Sequence, residues 1–168
     1  MASSLETPRQ IRRRNALRAV LWGGLISGAL DISAAFVVYG AMGARPVPLL
    51  QGIASGLLGR RAYSGGAATA LLGLQLHFVI AYGAATVYVL LGRRMTFLTR
   101  RPLIAGPVYG VVVFFFMQLV VLPLSAYGFR MRSLRLALIG IAIHMVCIGL
   151  PVALVTRRFA SRSLKSDS

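Results

Sequence analysis

Along the chain, long apolar runs alternate with short stretches punctuated by arginine. Four runs stand out, over residues 16–40, 67–91, 103–124 and 134–156. Each is longer than the roughly 18 apolar residues that mark a membrane-spanning helix. The pattern predicts an all-α fold: an integral membrane bundle of four transmembrane helices, within a membrane domain over residues 16–158. Residues 1–15 read as a polar, basic, disordered tail, and 159–168 as a C-terminal tail.

One apolar stretch does not fit the four-span scheme. Residues 46–59, opening Pro46-Val47-Pro48, are apolar but too short to cross a bilayer. Prolines at the start suit a helix N-terminus. The expectation is a short helix in the first outer loop that lies in the interface, re-enters the membrane or packs as a lid over the helix ends.

Segments two and four carry an internal repeat. Residues 70–79 (ALLGLQLHFV) align without gaps on residues 137–146 (ALIGIAIHMV), with five of ten positions identical and three more exchanging Leu for Ile. The weight rests on the shared Gly-x-x-x-His frame, Gly73 to His77 and Gly140 to His144. Segments one and three support it through Gly24-x-x-x-Gly28 and Gly106-x-x-x-Gly110. The chain thus reads as two helical hairpins in a parallel pseudo-repeat, related by an axis along the membrane normal, with the short helix as an insertion in the first.

Composition agrees with a membrane protein. The hydrophobic share of 57% exceeds the roughly 45–50% of soluble domains. Nineteen Lys and Arg against three acids give a net charge of +16. No basic patch is interleaved with aromatics as single-strand binders require, so nucleic acid is not an expected partner. The cations instead flank the apolar runs, where anionic lipid head groups attract them at about 1 kcal/mol each. Arg12, Arg13, Arg14, Arg93, Arg94, Arg100, Arg101, Arg157 and Arg158 are the expected head-group contacts. The tails and central loop hold thirteen basic residues and the other two loops six, which places both termini in the cytoplasm. The first run is longer than a signal-peptide core and contains Asp31, so a retained first helix is expected.

Three ionisable residues interrupt the apolar runs: Asp31, His77 and His144. Each shares its helical stripe with small residues, the surface through which membrane helices approach one another. Each also lies about 14–15 Å from the outer end of its run, near the middle of a ~30 Å hydrocarbon core. A mid-membrane cluster follows, with Gln75, Gln118 and Cys147 as supporting candidates. The small stripes fit one bundle or a homo-oligomer equally well. Pro151 lacks the N–H that would bond the Cys147 carbonyl, and a kink is expected there.

The leading reading of the cluster is interhelical polar contact. A proton-coupled transporter or proton relay is the alternative, because imidazole titrates near pH 6.5. A third reading joins both histidines to a haem, or adds Cys147 around a metal ion, so a cofactor is left unassigned. A lipid-acting enzyme would use Ser27 or Ser33 beside Asp31, but serines in such helices usually bond their own backbone. No catalytic residue is therefore assigned.

Residues 76–82 (LHFVIAY), Gly106-x-x-x-Gly110 with Pro123, and His144 ahead of Arg157-Arg158 resemble the YagU-like small bacterial inner-membrane proteins. The resemblance implies a four-helix inner-membrane protein and no particular activity.

Overall fold

The computed structural model describes residues 7–126, 128 and 133–164. Arg130, Arg132 and the outermost residues of both expected tails lie outside that range. The described residues are helical throughout, with short connections and no strand. Helix α1 spans Pro8–Gly40 and α2 Pro46–Leu58, followed by a tight 3-10 turn over Gly59–Ser64. Helix α3 spans Gly66–Arg94, α4 Thr96–Arg100 and α5 Pro102–Phe116. A π-helical segment, Met117–Val121, joins α5 to α6 (Leu122–Leu124). Helix α7 (Leu134–Ile143) runs through a second π segment, His144–Gly149, into α8 (Leu150–Leu164). Four of these stretches are long and apolar enough to cross a membrane: Arg9–Gly40, Gly66–Arg94, Pro102–Leu124 and Leu134–Ala160. Large apolar side chains such as Leu21, Val79, Phe116 and Val146 point outward, as a lipid-facing surface requires.

The first helix corrects the expected N-terminal tail. It begins at Pro8, so residues 8–15 are helical where disorder was expected. The cause is local. The Thr7 hydroxyl accepts the Gln10 amide N–H, Gln10 accepts the Thr7 N–H in return, and Pro8 occupies the first helical position. This reciprocal cap satisfies two of the otherwise orphaned donors of the first turn.

Helix α1 lies between α3 and α8, while α5 packs along α8 and the second π segment. Small residues set these crossings. Gly24 lies beneath the Tyr82 ring and Gly28 beneath Phe78. Gly106 and Gly149 bring their backbones together where α5 meets the second π segment, and a Cβ on Gly149 would run into the Gly106 carbonyl. Close backbone approach of this kind is how apolar helices gain contact without a hydrophobic driving force.

Both π segments end next to a proline. The N–H of Leu122 bonds the carbonyl of Met117, and the N–H of Leu150 bonds that of Met145; both bonds span five residues. Pro123 and Pro151 follow directly. Each proline lacks an N–H and crowds the carbonyl four residues earlier, which favours the wider turn just ahead of it. The expected kink at Pro151 is thus a π segment. Its extra residue turns the buried stripe to Ile148 and Val152, in place of the Cys147 and Pro151 that regular spacing from His144 would give.

Helix α2 is not a free-standing loop. Gln51 is buried and donates to the Gly66 carbonyl at 3.0 Å, with a longer bond to Thr69 Oγ1 at 3.4 Å. The Leu50 carbonyl rests where a Gly73 side chain would be. The Ala126 N–H bonds the Gly56 carbonyl at 2.8 Å, fastening α2 to the chain beyond α6 as well.

Candidate functional site

Asp31, His77 and His144 reach one cavity of about 700 Å³. The cavity runs from the middle of the bundle towards Arg45 and α2, whose Pro48, Leu49, Gly52 and Ile53 form part of its wall. Gln118 on the first π segment lines it too, as do Tyr39, Tyr63 and Ser125. Apart from these groups the lining is mainly aliphatic and aromatic, including Val113.

The three ionisable groups are not bonded to one another. The Nε2–H of His77 donates to the Gly28 carbonyl across the α1–α3 crossing, at 2.9 Å. The Nδ1–H of His144 donates to the Gly140 carbonyl on its own helix, at 2.8 Å. A carbonyl only accepts, so these contacts fix which ring nitrogen carries the proton in each neutral imidazole. His77 is left with Nδ1 and His144 with Nε2 as the nitrogens that can take up a proton or meet a ligand. The Phe114 ring stands edge-on to the His144 ring, 5.5 Å away, and helps to hold it.

Asp31 is the unsatisfied member. Its Oδ1 is buried and has no hydrogen-bond partner. Both imidazoles lie within its electrostatic reach. Buried polar atoms are nearly always bonded, so an orphaned carboxyl oxygen beside a cavity marks a place where a ligand, a water or a proton belongs.

The cavity is blind at its other end. Tyr88, Ala85, Val152 and Ala153 form a fully buried cluster there. The Tyr88 hydroxyl donates to the Leu98 carbonyl at 2.9 Å, and Tyr109 donates to the Ala84 carbonyl at 2.7 Å. The two rings meet edge to face at 4.9 Å. The Tyr109–Ala84 bond ties α5 to α3 here, and Ala81 and Ala84 of α3 face the cavity together with Val113 and Phe114 of α5.

Of the supporting residues expected from sequence, only Gln118 joins the site. Gln75 points outward from α3, and Cys147 is half-buried outside the cavity lining. Among the described residues no group of three His, Cys, Asp or Glu side chains comes close enough to hold a metal ion. The Ser27 hydroxyl is buried and bonds the Gly24 carbonyl on its own helix, and Ser33 is exposed. Sequence reasoning missed the Tyr88–Tyr109 seal and the Arg45, Tyr39 and Tyr63 rim. Tyr88 was within reach, since it lies on the His77 stripe.

The arginines fall into two groups. Arg12, Arg13, Arg93, Arg100 and Arg157 share a second concavity at the sealed end, whereas Arg14, Arg94, Arg101 and Arg158 lie outside it. Compared with known proteins, the chain matches no family model, no curated protein and no solved structure.

Proposed function

We propose that this chain is a small multi-pass protein of the bacterial inner membrane that exchanges protons for a small, largely apolar solute. In this reading Asp31, His77 and His144 form the proton-binding floor of the solute cavity. One observation carries it: the three groups share a cavity closed at one end, with the Asp31 Oδ1 lacking any partner. Interhelical polar contacts alone would consume these groups in bonds to each other, yet His77 alone bonds across helices. Each imidazole keeps one nitrogen free to bind a proton without breaking its existing bond, as a relay requires. An ionisable group inside a membrane bundle is in general the mark of such a pathway.

The remaining features fit the same reading. The π segments flank the floor, and irregular helix at membrane depth is tolerated where it lines a cavity. Gly28 meets α3 beside His77, and Gly110 meets the backbone at His144, which supports the parallel repeat. Helix α2 serves as a flap over the open end, dipping beside α3 as a re-entrant piece. The excess of arginine on the tails and central loop supports cytoplasmic termini, and hence a cavity open to the outside. Kinship with the YagU-like proteins belongs to this proposal.

The test is proton flux in liposomes that contain the pH dye pyranine. With a pH gradient imposed, tetraphenylphosphonium or ethidium is added as a lipophilic probe cation. The expected result is faster collapse of the gradient than in empty liposomes, lost in Asp31→Asn and reduced in His77→Ala. Variants that match the parent, or a parent that matches empty liposomes, would sink the proposal.

A further inference from the structure

The sealed end of the bundle holds a concavity of about 1020 Å³, separate from the Asp31 cavity and walled by α1, α3, α4 and α8. Six arginines surround it: Arg9, Arg12 and Arg13 from α1, Arg93 from α3, Arg100 from α4 and Arg157 from α8. All six side chains are exposed and so reachable by a ligand. The hydroxyls of Thr96 and Thr99 add polar groups to the wall. The floor is apolar, formed by the buried cluster of Ala19, Val89 and Phe159.

Among the described residues the one carboxylate is Asp31, deep in the other cavity. Cations from four helices therefore converge on a hollow with no acidic side chain in its lining. Merely solvated arginines would spread around the rim, because like charges repel. Guanidinium is also the group that grips phosphate with two parallel N–H bonds, and here 18 of the 19 basic residues are Arg. A single phosphate would fill a small part of this volume and meet few of the six cations.

We infer that this concavity binds an anion carrying two or more linked phosphate groups, with the apolar floor accepting a hydrocarbon part when the ligand has one. The phosphates lie between the α1 arginines and those of α3, α4 and α8, and the ligand clamps these helix ends together. The site shares no lining residue with the Asp31 cavity, and the inference does not rest on proton exchange. The shared chemistry has two sources, a diphosphate lipid head group and a soluble polyphosphate.

Native mass spectrometry of the protein in a neutral detergent, at fixed ionic strength, tests the inference. Three probes are titrated: cardiolipin, phosphatidylglycerol with its single phosphate, and sodium tripolyphosphate. At least one multi-phosphate probe should bind about tenfold or more tightly than phosphatidylglycerol, since one added charge-assisted contact accounts for roughly that factor. Cardiolipin alone would assign the lipid source, and tripolyphosphate alone the soluble one. The triple substitution Arg12→Gln, Arg93→Gln, Arg157→Gln should abolish the preference, while Arg45→Gln, Arg60→Gln, Arg61→Gln at the opposite end should leave it intact. Equal affinity of the parent for all three probes would overturn the inference, and that outcome needs no variant to fold. Equal losses in both triple variants would overturn it as well, by reducing the binding to overall charge.

Discussion

Glycine and histidine do different work at neighbouring positions of this bundle. Gly149 lies so near the Gly106 carbonyl that even one methyl group forces the helices apart. Gly149→Ala should therefore lower stability by about 1–3 kcal/mol, the usual cost of overpacking. Gly83 has nothing within 4 Å of its absent side chain, and Gly83→Ala should stay within about 0.5 kcal/mol of the parent. Unfolding of the two variants in mixed micelles compares them directly, and equal midpoints would contradict the tight crossing. Asp31, His77 and His144 were legible in the sequence because each interrupts an apolar run. Their bonding was not. Whether an imidazole meets a carbonyl on the next helix or on its own depends on interhelical register, which hydropathy does not contain. The two glutamines make the same point. Gln75 lies two positions, about 200° of helix rotation, from His77 and faces outward, while Gln118 is turned inward on a π segment.

The four spans were legible as elements from length and hydropathy, and their ends less so. Thr7, Pro8 and Gln10 spell a helix start in the sequence, yet the basic composition of residues 1–15 suggested a tail. At Pro151 the sequence pointed to an irregularity without its form. The proline's missing N–H and crowding favour the π turn, and at the second segment this coincides with the Gly106–Gly149 crossing, which the sequence does not contain. The resulting offset is testable. Pro151→Ala restores an N–H for the Cys147 carbonyl and removes the crowding that favours the wider turn. The stripe should then return to Cys147, which shares a face with His144 in a regular helix. Labelling of Cys147, half-buried in the parent, by a water-soluble maleimide should then fall several-fold in detergent. Unchanged labelling would mean that the Gly106–Gly149 crossing holds the π segment without help from the proline.

For the whole molecule, one end of the bundle is sealed by tyrosines and the other is covered by α2. Tyr88→Phe and Tyr109→Phe each remove a hydroxyl bond to a carbonyl while keeping the ring, and each should lower stability by about 1 kcal/mol. In liposomes the double variant should leak protons without added solute; a tight double variant would show that the rings alone make the seal. That one helix serves both cavities was not legible in the sequence, because it depends on which neighbours α1 acquires. Helix α1 carries no proline beyond Pro8 and no π segment, unlike the path through α5 and α8. It behaves as a rod with Asp31 near one cavity and Arg9, Arg12 and Arg13 at the other. From Arg9 to Asp31 it extends about 33 Å, so a 5° tilt at the acid sweeps the arginines through about 3 Å. The two hollows are thus joined by a lever: an anion gripping its long arm restrains the short one, and the setting of Asp31 in its cavity is geared to what lies at the far end.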